Sequence, residues 1–573
     1  MTDAAVTAKD IDAAPRKPSI FNDRRRLAIF LLGIGSGLPF AVVAGTLNAW
    51  FTASQISTAT IGVLAWSSLA YSFKFLWSPA LHRTAAPFFK RFGLRRSWFF
   101  PLQAMNALCF FGFSLLDPKT SLLAIAGLAV IAAFLSATFD IVLDAWRIET
   151  ARDQADIDAL STLYQAGYRS AAFIGGAGAL IMADYVGWHP VLAILAVIMA
   201  LTLSGSIIAP EPPRPEADGA HVSALEAKHA RPTLAQDYPV AWRNIVLAVV
   251  LAGWAWAFWT LGSFMIASLI HPDAGTAGAF TLSMGPLIVL ATVFTPAFGA
   301  LWLLRERAHP VKIGLSALPP KAQGVADAMF GAIIAPMLEL ISRLRWLALL
   351  ALGIILTYHF PHTVWGSFAY PFYMGTEHGA LGHTQTEVAF ASKIIGVLAT
   401  IGGIAFGGVL LRWMGRIPAL TIACVVASAA NLFFADLAIG APMMNAFLGF
   451  THLDVLFTPF GDRGYSVAQL TFAIAGENIT IGFASVVYLA YLTSIINPKF
   501  ATVQAALLGS LTILIGQLGR PALGEMIETQ GFAYVFTVTA IIGVIPVVLC
   551  AIEWWREARK PKEAAAPAPA AAE

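Results

Sequence analysis

Two carboxylates, Asp140 and Asp144, stand near the end of a long apolar run that extends from about Ser121 to Arg147. A spacing of four puts both on one face of a helix. Placing a carboxylate inside a membrane span costs roughly 2.5–3.5 kcal/mol on insertion scales, so a chain that does this twice has a use for protons or for a charged substrate. Two acids on one face also favour protonation of one of them. Lys74 and Arg169 lie at a matching depth in neighbouring runs. Counted from the same end of their runs, Asp140, Lys74 and Arg169 are each roughly 10–12 Å in, at 1.5 Å per residue. Opposite charges at one depth lower each other's insertion cost. Two readings stand side by side. In one, the group is a structural salt-bridge cluster. In the other, the cations neutralise an anionic substrate, and Asp140 or Asp144 binds and releases a coupling proton.

The second half of the chain offers a counterpart: Lys393, Glu477-Asn478 and Arg520-Pro521. Glu477 is the one acid well inside an apolar run there. It is expected either to bridge to Lys393 or Arg520 or to carry a proton. His359 and His362, three apart and interrupted by Pro361, could titrate or contact substrate. No third ligand accompanies them, so no metal site is expected. Cys109, Cys424 and Cys550 lie far apart in apolar runs and read as small core residues. The stretch Gly33-Ile-Gly35-Ser-Gly37-Leu-Pro39 reads as a close-packing, hinge-like element around Gly35, Gly37 and Pro39. It is no phosphate loop, because no Lys-Ser/Thr follows it. Trp254, Trp256 and Trp259 read as lipid-facing or interfacial.

Membrane spans carry all of these residues. The 573 residues are 58% hydrophobic and 12% charged, about half the charge content of a soluble domain. The chain is expected to be an all-α integral membrane protein with fourteen transmembrane helices: 27–51, 60–82, 98–116, 121–147, 161–184, 188–209, 244–270, 279–304, 346–374, 386–411, 417–437, 466–495, 503–525 and 532–555. Placing the N-terminus in the cytoplasm puts 30 of the 36 Lys and Arg on the cytoplasmic side. Two, Lys119 and Arg463, fall outside, and four, Lys74, Arg169, Lys393 and Arg520, fall within spans. Both termini are therefore expected to be cytoplasmic. The plan is 6+2+6: a tail (1–26), a six-helix bundle (27–209), a linker (210–243), an inserted helix pair (244–304), and a second linker (305–345) with an interfacial helix near 323–343. A second six-helix bundle (346–556) and a disordered tail (557–573) complete it. This plan fits a major facilitator fold, whose substrate site lies between pseudo-symmetric halves. The inserted pair, which has no embedded acid or base, is expected to be a lipid-facing brace between them. The basic residues lie in short loops rather than on one face, so nucleic acid is not an expected partner.

Short basic turns with Gly follow corresponding spans, at Lys90-Arg91-Phe-Gly93 and at Gly407-Gly-Val-Leu-Leu-Arg412-Trp-Met-Gly415-Arg416. They resemble the Gly/Arg loop motif of the major facilitator superfamily, with His82 where that motif usually has Asp. Several further stretches occur in a fixed order: Gly35-Ser-Gly37-Leu-Pro39 with Gly45-Thr-Leu-Asn-Ala-Trp50, Tyr71-Ser-Phe-Lys74-Phe-Leu-Trp77-Ser-Pro79, Asp140-Ile-Val-Leu-Asp144-Ala-Trp-Arg147, and Gly167-Tyr168-Arg169. Lys393-Ile-Ile-Gly, Glu477-Asn478 and Gly519-Arg520-Pro521 follow. Together they resemble the AmpG muropeptide permeases, a branch of that superfamily, over residues 27–209 and 346–556. The resemblance implies a monomeric, proton-driven importer in the inner membrane of a Gram-negative bacterium, with no cofactor besides the proton. Its substrates would be N-acetylglucosaminyl-anhydro-N-acetylmuramyl peptides from wall turnover, which also feed the signal inducing β-lactamase. Asp140, Asp144 and Glu477 would couple protons. Lys74, Arg169, Lys393, Asn478, Arg520, Trp50, Tyr168, His359 and His362 would line the substrate path. Three features depart from the family: Phe139 replaces a Gln, His359 and His362 replace a Lys and Asp pair, and the extra helix pair sits mid-chain rather than at the C-terminus. A related carrier of another bulky anion, such as a siderophore or a coenzyme A ester, is the alternative. No His-Glu-x-x-His or similar spacing supports an enzyme.

Overall fold

A computed structural model describes residues 23–74, 77, 81, 84–152, 154–212, 238–271, 276–306, 318–363, 366–497 and 501–559. The N-terminal tail to residue 22, most of the linker (213–237), His82, Pro79 and the tail from residue 560 lie outside the described residues. The described chain is helical. Its elements are α1 (Arg24–Ala53), α2 (58–73), α3 (Arg96–Leu115), α4 (Leu122–Thr150), α5 (154–186), α6 (Trp188–Ile208), α7 (Val240–Ile270) and α8 (Ala277–Arg305). They continue with α9 (Pro320–Leu344), α10 (Leu347–Met374), α11 (Gln385–Met414), α12 (Arg416–Ala438), α13 (Gly464–Ile495), α14 (501–530) and α15 (531–558).

Among the described residues, twelve helices are long and apolar enough to cross a membrane. The sequence pattern led us to expect fourteen, and the difference has three sources. The helix α2 is short and tightens into a 3₁₀ turn at Ala65–Ser68, and α5 opens on a polar turn that starts at Gln154 and includes Asp156. The helices α14 and α15 join as one unit, Leu507–Ala558, bent where Gly531 takes φ +80°. The helix α9, expected at an interface, is itself apolar enough to be one of the twelve.

One apolar core is built by residues between Ala28 and Ala209, with Phe99, Phe110, Phe113 and Trp146 at its centre. Phe139 belongs to it, 1% exposed and 5.5 Å from the ring of Phe99. The residue that departs from the family pattern therefore faces the core of its own half. Trp254 is also buried, and its indole N–H donates to the Thr292 carbonyl at 3.1 Å, whereas Trp259 is exposed as expected.

The inserted pair packs on both halves. Phe258 meets Phe73 edge-on at 4.7 Å, and Phe264 and Phe280 flank Trp66. On the other side the Gly278 N–H donates to Glu525 at 2.7 Å. The helix α9 is fixed at each end. Asp327 takes an ion pair from Arg243, and Gln323 bonds Asn244. At the other end Glu339 accepts from Arg343, Asn497 and Gln504 at 2.6–2.8 Å.

Candidate functional site

Two glycine crossings set the geometry. In α1, a Cβ at Gly33 would lie 2.6 Å from the Tyr164 carbonyl oxygen, and one at Gly37 would lie 2.8 Å from that of Tyr168. Gly167 in α5 meets the Phe30 carbonyl oxygen in return. The backbones approach this closely because small residues remove the side chains between them. In the other half, Gly403 of α11 meets Ile479 of α13, and Gly482 meets Thr400.

The first crossing places Ser36 at the centre of a polar group. Its hydroxyl donates to Asp140 Oδ1 at 2.5 Å and lies 3.1 Å from the Tyr164 hydroxyl. Lys74 Nζ is 3.7 Å from the other oxygen, Oδ2. One turn on, Asp144 is half-exposed and pairs with Arg147 at 3.1 Å. The Arg147 guanidinium lies 5.1 Å over the Tyr164 ring, and Tyr168 packs beside Tyr164 at 6.0 Å. Asp140, Lys74 and Asp144 thus come together as their spacing and depth suggested. Arg169 does not join them: it is exposed and makes no ion pair among the described residues. Ser36 and Tyr164 were missed as site residues. The signal was present in Gly33-x-x-Ser36-Gly37, where a hydroxyl sits inside a close-packing stripe. Gly35 serves packing against the buried Gln103 side chain of α3. Pro39 lies within α1, three residues before a π-helical turn at Val42–Thr46.

In the second half, Glu477 is 3% exposed, and its carboxyl has no hydrogen bond or ion pair among the described residues. The expected bridge to Lys393 or Arg520 is absent. Asn478, beside it, accepts from the Thr400 hydroxyl at 3.0 Å. Lys393 instead reaches the first half. Its ammonium lies 5.7 Å over the Tyr370 ring, and its stem passes against Gly176. Three π-helical turns, Val42–Thr46, Ile174–Gly178 and Phe390–Ile395, converge there, and the Thr46 hydroxyl bonds the Gly175 carbonyl. Such turns concentrate at functional sites. His359 packs between the Tyr358 and Tyr488 rings, 5.2 and 4.9 Å away. His362 follows on the short helix Phe360–Thr363, where α10 breaks. Arg520 heads the stretch of α14 that packs on Gly62. Trp50 is buried in the first core against Phe51 and His189 and stands apart from the charged group.

The halves meet at the end where α1 hands over to α2. Two contacts there mirror each other. Glu528 of α14 accepts from the Ala59 N–H at 2.9 Å, in the first turn of α2. Asp184 of α5 accepts from the Thr386 N–H and hydroxyl at 2.6 Å, in the first turn of α11. Each half caps a helix of the other with a carboxylate, where the helix dipole favours negative charge. His383 is buried beside this seam, Nδ1 2.9 Å from Glu387, with Ser466 at 3.3 Å on Nε2. Arg463 pairs with the same Glu387 at 2.9 Å.

These features define a multi-pass helical membrane protein of two halves, with charged groups at their interface. Its fold is that of a solved POT-family peptide transporter in an auto-inhibited form (TM-score 0.57, 13% identity, 95% of this chain and 99% of that one). A point mutant of the nucleoside transporter NupG is also similar (TM-score 0.52, 12% identity, 92% and 99%). The family model described as Acetyl-coenzyme A transporter 1 matches residues 27–174. The chain is 34% identical over 295 residues to the anhydromuropeptide permease of Escherichia coli K12. That match spans 50% of this chain and 57% of the permease, so it reaches little more than half the length of that relative. A putative transporter of Rickettsia conorii, AmpG 4, is 25% identical over 531 residues, 92% of this chain and 96% of that one. The resemblance to AmpG permeases carried by the motifs is borne out by these relatives.

Proposed function

We propose that the chain is a proton-coupled importer of anhydro-muropeptides, working by alternating access in a bacterial inner membrane during cell-wall recycling. The observation that carries this reading is the 34% identity to the E. coli anhydromuropeptide permease. The site chemistry supports it. Muropeptides carry several carboxylates, and Lys74, Arg169, Lys393 and Arg520 are the cations embedded in the two halves. Asp140, Asp144 and Glu477 are the proton carriers. Glu477 fits that role because a buried carboxyl without a partner is far less costly neutral than charged. The termini lie in the cytoplasm, consistent with the distribution of Lys and Arg. With that orientation, the reciprocal caps of Glu528 and Asp184 close the outer end, and the half-exposed Asp144 looks toward the cytoplasm. The state is then inward-facing.

The test is uptake of labelled N-acetylglucosaminyl-anhydro-N-acetylmuramyl tripeptide into energised vesicles, with and without a protonophore. Accumulation that the protonophore abolishes is expected. The family-model match makes a coenzyme A ester the natural competitor. Transport of acetyl-coenzyme A or a ferric siderophore without transport of the sugar peptide would replace the muropeptide reading.

A further inference from the structure

The geometry points to Ser36 and Tyr164 as a hydroxyl relay that carries the proton between Asp140 and the water-accessible mouth at Asp144. This rests on the proton-coupling reading and deepens it. Asp140 sits deeper in its helix than Asp144, and the two carboxyls do not meet. A proton bound at Asp140 therefore needs a path.

The path is laid out by hydrogen-bond arithmetic. A serine hydroxyl has one proton to give and can accept. The Ser36 proton points to Asp140 Oδ1 at 2.5 Å. In the 3.1 Å contact with Tyr164, Ser36 must then accept and Tyr164 must donate. The chain Tyr164 O–H to Ser36 O–H to Asp140 carboxylate is thus polarised toward the acid. Lys74 occupies the other carboxylate oxygen, so Oδ1 is the oxygen open to the relay. Loading Asp140 moves two protons by one bond each. The Ser36 O–H breaks as the Asp140 O–H forms, and the Tyr164 O–H breaks as the new Ser36 O–H forms. Solvent water at the half-exposed Asp144 then returns a proton to Tyr164. Release runs the same exchanges backward, so no atom or electron is gained or lost. The Arg147 guanidinium over the Tyr164 ring, itself paired to Asp144, stabilises negative charge on the phenol oxygen while its proton is displaced.

The fold is built for this contact. Without the close approach at Gly33, Gly37 and Gly167, α1 and α5 would stand too far apart for one serine to reach both partners. Ser36 lies directly before Gly37, inside that crossing, and is 1% exposed. Neither Ser36 nor Tyr164 is assigned to substrate. They are positioning and relay groups acting through Asp140.

The test is a pH jump on the reconstituted full chain, following the protonated carboxyl band of Asp140 by time-resolved infrared spectroscopy. The band is assigned by its loss in Asp140→Asn. Ser36→Ala and Tyr164→Phe are expected to slow Asp140 protonation at least tenfold, and Ser36→Thr is expected to restore the rate. Unchanged rates in both Ser36→Ala and Tyr164→Phe overturn the relay. If Ser36→Ala does not fold, Tyr164→Phe, which keeps the ring and its packing, decides alone. Proton-driven accumulation of the labelled tripeptide by Asp140→Asn judges the coupling reading separately. Wild-type accumulation there removes Asp140 from coupling, whatever the relay rates show.

Discussion

At the residue scale, the site is decided by which partner each charge finds. Asp140 keeps one oxygen for a hydroxyl and one for Lys74, whereas Glu477 has neither. The difference separates an acid held ready to ionise from one that is cheapest when protonated. His383 gives a prediction with a definite sign. It lies in the loop before α11, and burial pushes its pKa below the ordinary value of 6.5. The hydrogen bond to Glu387 opposes that shift, and the charge of Arg463 adds to it. A folded-state pKa below the unfolded one means that the unfolded chain binds the proton better. The stabilising effect is present above pH 6.5 and is lost as the pH falls. The melting temperature in detergent is expected to drop between pH 7.5 and 5.5. His383→Gln is expected to flatten that dependence, and an unchanged slope would remove His383 as its source.

At the element scale, helix crossings and helix ends do the positioning. Gly482 lets α13 press against the Thr400 carbonyl of α11. A methyl group there has only backbone to displace, so Gly482→Ala is expected to destabilise by about 1–3 kcal/mol. The readout is thermal unfolding in detergent, with Gly408→Ala, where a Cβ meets nothing within 4 Å, as the neutral control. The helix starts at α2 and α11 carry the seam. Asp184→Asn combined with Glu528→Gln removes both charge–dipole contacts, each about 0.3–1 kcal/mol. Spin labels at Gln55 and Thr529 are expected to report a longer, broader distance distribution in the double variant. An unchanged distribution would mean that packing at Gly62 and Gly524 holds the seam without the acids.

At the scale of the whole molecule, the insert turns a two-half bundle into a braced one. The pair α7–α8 touches Trp66 and Phe73 of the first half and Glu525 of the second. The helix α9 ties the insert to the α13–α14 connection through Glu339. Glu339→Ala leaves three donors without their acceptor, and each orphaned donor costs about 1–3 kcal/mol. A melting temperature several degrees lower is expected, with Glu339→Gln intermediate. Equal stability of the wild type and Glu339→Ala would show that the apolar face of α9, with Phe330, Ile334 and Leu338, anchors it alone.

Hydropathy and helical rise are local quantities, so the order of residues was enough to establish the membrane class and the depth of each embedded charge. It also brought Asp140, Asp144 and Lys74 to one level, and it located the two stretches, around Ser36 and around Glu477, where the halves do their chemistry. What it could not supply was lateral distance. Matching depth put Arg169 with Asp140, yet the face it occupies on α5 turns it away. A lone acid among cations suggested a bridge for Glu477, yet Lys393 is spent on Tyr370 and the seam. Phe139 looked like a substrate contact from its place beside Asp140, but neighbours in a helix point about 100° apart, and it faces Phe99. Only the folded arrangement settled these points, because rotation about a helix axis and the crossing of two helices at glycines are set by packing between elements distant in the chain.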